Sequence, residues 1–405
     1  MNMMSSYRPA PIQPEFDHRG GAFFGIALRG GLLQIATLGF YRFWLLTDLR
    51  RHLWGSTRIE GEALEYTGRA RELLIGFLIA MAILAPLFLV YFLIGIEAES
   101  WRSFASLPFY GFLYVFAQYA AYRARRYRLS RTAWRGVRFW MEKGGWRYAA
   151  LSGGTMLLSI LTIGLYAPWR AAALERYKFS RTRYGDIPAS FAGTGMQLYN
   201  AGILYWVVGA MTVVAVFGVG MAEHGPQEAD GKYVLPLWFA FLALGGAIAL
   251  ALCYALYQAA QWRWFLNGMR IGQARVESRF PRGRLLGLYL IYGLIATAIT
   301  IGFALLFALG ALAFASTQGH LDLEFDLGRP WVAMAPLGAG VVVYLLLLTV
   351  LGVFYRYFLQ HNLWRAAVET MTLHGLETLA HARAAGQAVN ALGEGLLDGL
   401  DMGGF

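Results

Sequence analysis

The sequence predicts an all-α polytopic membrane protein with short β-hairpin modules on one face, and three observations predict it. The 405-residue chain is 58% hydrophobic and only 15% charged, whereas soluble domains carry about 25% charged residues. Six apolar runs, at 73–96, 104–122, 196–221, 235–261, 285–315 and 331–355, are long enough to cross the roughly 30 Å hydrocarbon core, which takes about 20 helical residues. One octapeptide pattern is also written twice, TLGFYRFW at 37–44 and TIGLYAPW at 162–169, 125 positions apart.

The chain opens with MNMMSSYRPAPIQPEFDHRGG, polar and proline-bearing, without the basic start, apolar middle and cleavage site of a signal peptide. A short disordered lead over 1–21 is expected. The segments 22–44 and 148–169 lead into the two octapeptides and carry the glycine pairs of ALRGG and ALSGG. Glycine pairs are places where a helix breaks, so each segment reads either as a re-entrant element or as an ordinary span, giving six to eight spans in all. Arg29, in the first of them, fits an interfacial position better than a lipid-facing one.

Charge sets the expected topology, because Lys and Arg of short loops stay on the cytoplasmic side. Stretches 48–71, 123–147, 170–195, 262–284 and 356–384 hold 28 of the 35 basic residues. The connections 97–106, 222–233 and 316–330 hold one each, among acids such as Glu97, Glu223 and Asp326. The first set reads as cytoplasmic and the second as periplasmic, with both termini cytoplasmic. The segment 148–169 conflicts with a simple span, since both its flanks are strongly basic.

The match between the two copies continues beyond the octapeptide, pairing Arg51 with Arg176, Thr57 with Thr182, Arg58 with Arg183 and Gly68 with Gly193. STRIEGEALEYTG and RTRYGDIPASFAGTG then read as β-hairpins around glycine-containing turns. Weaker echoes at 125–139, 263–277 and 356–370 follow other spans on the basic side. All five lie on one side, so the repeat is parallel rather than inverted. The implied organisation is a lead (1–21), two membrane repeat units (22–147 and 148–284), a third helical hairpin unit (285–372) and a cytoplasmic tail (373–405). In the tail, LETLAHARAAGQAVNAL fits an amphipathic helix.

The glycine-Tyr-x-x-Trp signature, the TRxxGxxxxFxG-like hairpin and the closing GEGLLDGLDMGGF resemble the YjgN-type family of bacterial inner-membrane proteins. The likeness runs from about Phe23 to the end. It implies a polytopic inner-membrane protein and supplies no catalytic residues. Ala167 and Pro168 replace Arg42 and Phe43 in the second octapeptide, so the two copies need not have equal roles.

Chemistry is sparse. The six runs contain no ionisable residue, the usual mark of a proton relay or coupled transporter. Gln118, Asn200, Thr212, Gln258 and Gln261 read as helix-helix or interfacial polar groups. No HExxH, GxSxG, Walker or dinucleotide motif occurs, and neither a metal site nor a cofactor is expected. Cys253, the one cysteine, reads as a small core residue. For an integral-membrane enzyme only unpaired groups such as His361 and Glu369 are available. The expected function is therefore non-enzymatic: a basic, aromatic cytoplasmic face in which Arg51, Arg58, Arg126, Arg176, Lys178, Arg181 and Arg183 bind anionic lipid headgroups or a protein partner. The alternative is a passive channel or transporter for a neutral or amphipathic solute. Nucleic acid is not an expected partner.

Overall fold

The structure is a computed structural model that describes residues 10–97, 102–223, 227–229, 232–234, 237–318 and 330–385. Strand β1 (Glu15–Phe16) leads into a helical hairpin, α1 (Gly20–Ala36) and α2 (Arg42–Gly55). Strands β2 (Thr57–Ile59), β3 (Glu62–Ala63) and β4 (Glu65–Tyr66) precede a long helix pair, α3 (Ala70–Glu97) and α4 (Arg102–Ser130), and strands β5 (Thr132–Trp134) and β6 (Val137–Met141). The same order recurs with the helical hairpin α5 (Gly145–Leu161) and α6 (Ala167–Phe179), then strands β7 (Thr182–Tyr184) and β8 (Ile187–Phe191). The long helix α7 (Gly195–Glu223), the paired strands β9 (Gln227–Ala229) and β10 (Lys232–Val234), helix α8 (Leu237–Gly268) and strands β11 (Met269–Ile271) and β12 (Ala274–Ser278) complete this unit. A third long pair, α9 (Arg282–Gln318) and α10 (Pro330–Phe354), runs into a π turn (Tyr355–His361), α11 (Asn362–Glu369), β13 (Met371–His374) and a 3-10 turn (Leu376–Leu379).

Each octapeptide forms the tip of a helical hairpin, and the two tips have the same geometry. Leu38 and Gly39 have φ of 50° and 90°, and Ile163 and Gly164 have φ of 50° and 84°. The Gly39 N–H donates to Gln34 O (2.7 Å) and the Leu38 N–H to Ile35 O (3.1 Å), the paired bonds that end a helix with a left-handed residue. Gly164 and Ile163 make the matching bonds to Ser159 O and Ile160 O. Thr37 Oγ1 accepts the Tyr41 N–H at 2.9 Å and Thr162 Oγ1 the Tyr166 N–H at 3.1 Å, starting the returning helix. The Tyr and Trp of each copy then stack, with ring planes 17° apart in both. The T-x-G-x-Y-x-x-W pattern is thus the recipe for one turn.

The expected break at the glycine pairs is corrected, because Gly30–Gly31 and Gly153–Gly154 lie inside unbroken α1 and α5. What reverses the chain is positive φ, and that falls at the tip. Gly30 serves close packing instead, since a Cβ there would meet the Leu45 side chain at 2.3 Å.

A left-handed Leu or Ile costs about 1–2 kcal/mol, yet Leu38 and Ile163 are 88% and 96% exposed. Such tips gain by burial in hydrocarbon, where an Ile side chain is worth about 1.5–3 kcal/mol. Ile163→Gly is therefore expected to change stability by about 1 kcal/mol at most, strain relief offsetting lost burial. Ile163→Asp should cut recovery of folded protein from membranes roughly tenfold, a charge in the bilayer centre costing about 2.5–3.5 kcal/mol. Size-exclusion chromatography of the two variants reads the difference, and equal recoveries would place the tip outside the hydrocarbon.

The all-α expectation is also corrected. Strands β13-β12-β11-β8-β7-β6-β5-β4 form one eight-stranded sheet, antiparallel throughout. Two-residue turns close its hairpins at Arg135-Gly136, Gly185-Asp186 and Gly272-Gln273, and Glu60-Gly61 turns β2 into β3. The two ends of the sheet are then joined by the N-terminal segment. Ile12 exchanges both backbone bonds with Leu373 of β13 (2.9 and 2.7 Å), β1 pairs with β2, and β2 pairs with β3, which continues through Leu64 into β4. The pairing thus runs in a closed ring, which removes the exposed edges that invite aggregation. Residues 10–19, expected to be a disordered lead, supply the closing strand.

The ring is packed, not open. Trp134, Tyr184, Ala274 and Leu373 point inward from four strands, and Leu376 and Leu379 of the 3-10 turn fill the space between them. Tyr184 OH donates to Trp134 O at 2.9 Å. The chain then crosses the β7–β8 turn, where Arg383 N–H donates to Asp186 Oδ1 (2.9 Å) and Arg383 O lies 2.3 Å from where a Gly185 Cβ would stand. The expected tail helix is absent from 376–385, and its remainder lies outside the described residues. In the fifth module the stretch 356–369 is helical, and its strand follows at β13.

Among the described residues, five helices are long and apolar enough to cross a membrane: α3, α7, α8, α9 and the helix ending at Glu369. Helix α4 is less apolar but must travel the same distance as α3, because β4 before the pair and β5 after it are hydrogen-bonded neighbours. The same logic resolves the conflict at 148–169. Strands β6 and β7 flank α5 and α6 and pair directly, so that hairpin begins and ends on one side, as α1 and α2 do between β1 and β2. At most 17% of each of those five stretches is buried in protein, leaving their surfaces to lipid. The protein is membrane-embedded.

Candidate functional site: a cationic and aromatic cavity above the ring

Successive helices from α1 to α10 pack in a circle, and α10 packs on α1. Within the circle, where helix ends meet the strand ring, lies a cavity of about 590 Å³, within the range of small-molecule sites. Its walls are written at helical spacing. Ala121, Arg125 and Arg128 of α4 and Ala171, Glu175 and Lys178 of α6 each stand at i, i+4 and i+7, one face of a helix. Gln258, Gln261, Trp262 and Phe265 of α8 form a third stripe. Tyr289 of α9 and Tyr355, Leu359 and Gln360 of the π turn complete the enclosure. π turns often occur at functional sites, and this one supplies a wall.

The cations of the lining lie near the helix ends and the small side chains farther back. Lys178 and Arg128 sit one and two residues before their helices end at the ring, whereas Ala121 lies nine residues back, about 13 Å at 1.5 Å per residue. Charge therefore collects at the bottom, with small side chains above it.

Electrostatically the floor is a carboxylate shared by two cations. Glu175 accepts from Arg125 Nη1 at 3.0 Å and from Lys178 Nζ at 2.5 Å. Arg125 also lies over the Phe179 ring at 4.8 Å and Lys178 over Tyr148 at 5.9 Å. Arg128 adds a third positive charge, and Glu175 is the one acid in the lining, so the site carries a positive excess. Burial lowers Lys178 to about 8, against the opposing pull of Glu175. Burial pushes the Glu175 carboxyl up, but Lys178 and Arg125 outweigh it and hold it below the usual carboxylate range.

A pH dependence follows. Lys178 is charged below about pH 8 and loses its proton above it, so affinity of the cavity for an anion should fall as pH rises through that value. A bound anion raises the Lys178 pKa and moves the fall upward. Lys178→Gln should flatten the profile between pH 7 and 9, measured as retention of an anionic amphiphile. A profile unchanged by the substitution would place Lys178 outside the binding electrostatics.

Of the six arginines and one lysine singled out by sequence, only Lys178 lines this cavity. Arg51 Nη2 donates to Gly68 O (2.8 Å) and Arg176 Nη2 to Gly193 O (3.5 Å), the same bond at equivalent positions of the two units. Arg126 Nε donates to Met141 O at 2.8 Å. Arg181 lies over Tyr177 at 4.4 Å, and both it and Arg183 face Glu142, at 3.8 and 3.2 Å. Arg58 is exposed on β2. These side chains tie helix ends and loops to the ring. Sequence reasoning missed Arg125, Arg128, Glu175, Gln261 and Gln360. The signal was there for the first three, since α4 and α6 share the Ala-x-x-x-charged-x-x-cation spacing.

His361 is fully buried against Phe16, His18 and Phe23, and Glu369 is bound by Arg365 and Arg284. Neither is part of the cavity lining. Among the described residues no three His, Cys, Asp or Glu side chains group as metal ligands. No curated protein and no solved structure matches the chain. The family described as "Bacterial protein of unknown function (DUF898)" matches residues 12–399, beginning at the residue whose backbone closes the strand ring. The chain belongs to this bacterial family.

Proposed function

We propose that this is a non-enzymatic protein of the bacterial inner membrane whose central cavity, on the cytoplasmic side, holds the headgroup of an anionic lipid. The observation that carries the reading is a cavity lined by Arg125, Arg128 and Lys178 with one carboxylate, Glu175, set among long apolar helices with little of their surface buried in protein. Partly buried cations gathered in one cavity favour an anion there, and the anions available between membrane spans are lipid phosphates. The ring side carries the basic excess, which by the positive-inside bias is cytoplasmic. The N-terminal strand and β13 both belong to that ring, which supports a cytoplasmic position for both.

The alternative of a solute channel has no comparable support. The six apolar runs carry no ionisable side chain, and the cationic cavity lies near the helix ends at the ring.

The test is lipid retention. Protein purified in mild detergent should carry anionic phospholipid, and Arg125→Gln with Arg128→Gln should reduce it at least about tenfold, the loss of a charge-assisted bond or two. Arg183→Gln, on a half-exposed pair with Glu142, should leave retention unchanged. Native mass spectrometry reads the bound lipid. Equal retention by wild type and the double variant would defeat the proposal.

A further inference from the structure

The cavity has two chemically different walls, and the second specifies more than charge. Facing the cations of α4 and α6 stand the side-chain amides of Gln258, Gln261 and Gln360 and the Tyr289 hydroxyl. Gln258 Nε2 donates to Tyr254 OH at 2.7 Å. Gln261 and Gln360 are partly buried, and neither they nor Tyr289 hydrogen-bond to any described protein group. An amide offers donors and an acceptor side by side, so amides that line a cavity without protein partners are available to something that enters it.

We infer that the ligand is a phosphodiester carrying a hydroxyl-rich group, as in a phosphoglycerol lipid: the phosphate is held by Arg125, Arg128 and Lys178, and the polyol by Gln261 and Gln360. This rests on the lipid reading above. A hydroxyl both donates and accepts, so it matches an amide wall in either orientation. An ammonium headgroup does not fit, because it would lie beside three cations with one carboxylate, Glu175, already shared by two of them. A bare phosphate monoester satisfies the floor but leaves the amides unpaired, which a site built for hydrogen bonds penalises. Acyl chains leave over Ala121 and Ala171, the smallest side chains of the lining, toward the membrane.

A soluble polyol phosphate has the same headgroup chemistry, so the experiment has two arms. In the first, purified protein is equilibrated in mixed micelles with equal phosphatidylglycerol, phosphatidate and phosphatidylethanolamine, and native mass spectrometry counts what is retained. Wild type should prefer phosphatidylglycerol about tenfold over each of the others. Gln261→Leu with Gln360→Leu should bring phosphatidylglycerol and phosphatidate within about twofold while both are still retained. In the second arm, deacylated glycerophosphoglycerol at millimolar concentration should fail to displace the lipid.

Retention of all anionic lipids without a polyol preference would overturn this inference and leave the lipid reading standing. Loss of lipid retention altogether would overturn both. Displacement by the soluble headgroup would overturn the lipid as the source of the polyol phosphate.

Discussion

Replacing Leu376 and Leu379 together by alanine should destabilise the protein by about 4 kcal/mol or more, since buried Leu→Ala changes cost about 2–5 kcal/mol each. These two side chains are 5% and 6% exposed and stand among Trp134, Tyr184 and Leu373 inside the strand ring. No strand of the ring exceeds five residues, and hairpins of that size do not hold without a shared core. Their removal takes away the contents of the ring while leaving the spans in the membrane. The melting transition in detergent should fall, and trypsin should cut at Arg135 and Arg383 while the spanning helices resist. An unchanged transition would show that the tail lies on the ring's surface instead of in its core.

The second large effect is at Glu175. Glu175→Gln removes the carboxylate that Arg125 and Lys178 share, and breaking a buried pair from one side costs about 3–5 kcal/mol. The side chains involved are 16–20% exposed, so the lower end applies. The sign with pH is opposite to that of a broken surface pair. Lys178 already sits at about 8, below its unfolded value. Without Glu175 its pKa drops further, and between that value and about 10.4 the unfolded chain binds more protons, so stability rises with pH. The variant should therefore melt early at pH 7, recover partly by pH 9, and recover also on adding phosphatidylglycerol, which replaces the missing anion. A variant as stable as wild type and indifferent to lipid would mean that the three groups are solvated and the cavity exerts no demand for an anion.

Much of this architecture was legible in the chain. The apolar runs located the long helices and the basic clusters put the five repeated modules on one face, whereas the octapeptide was recognised as a repeat but not as the hairpin tip it forms. The ring was not legible, for a physical reason. Its strands are two to five residues long, too short for alternation to be distinctive, and its closure depends on Ile12 meeting Leu373 across nearly the whole sequence. The glycine pairs misled because glycine marks both breaks and close packing, and only backbone φ separates Gly30 from Gly39. At the site, arginines were counted as charge available for ligands. Most donate to carbonyls such as Gly68 O and Gly193 O or face Glu142. The groups that line the cavity sit on helix faces, where spacing rather than number was the informative property.

The central claim is that α5 and α6 enter the membrane and return, so that β6 and β7 share one compartment. In a Cys253→Ala background, single cysteines at Arg135 and at Asp186, both exposed turn positions of the ring, report it directly. An impermeant maleimide should modify neither in intact spheroplasts and both in inverted vesicles. Modification of one probe from each side would mean that 145–179 crosses the membrane, and the ring with its cavity would not exist.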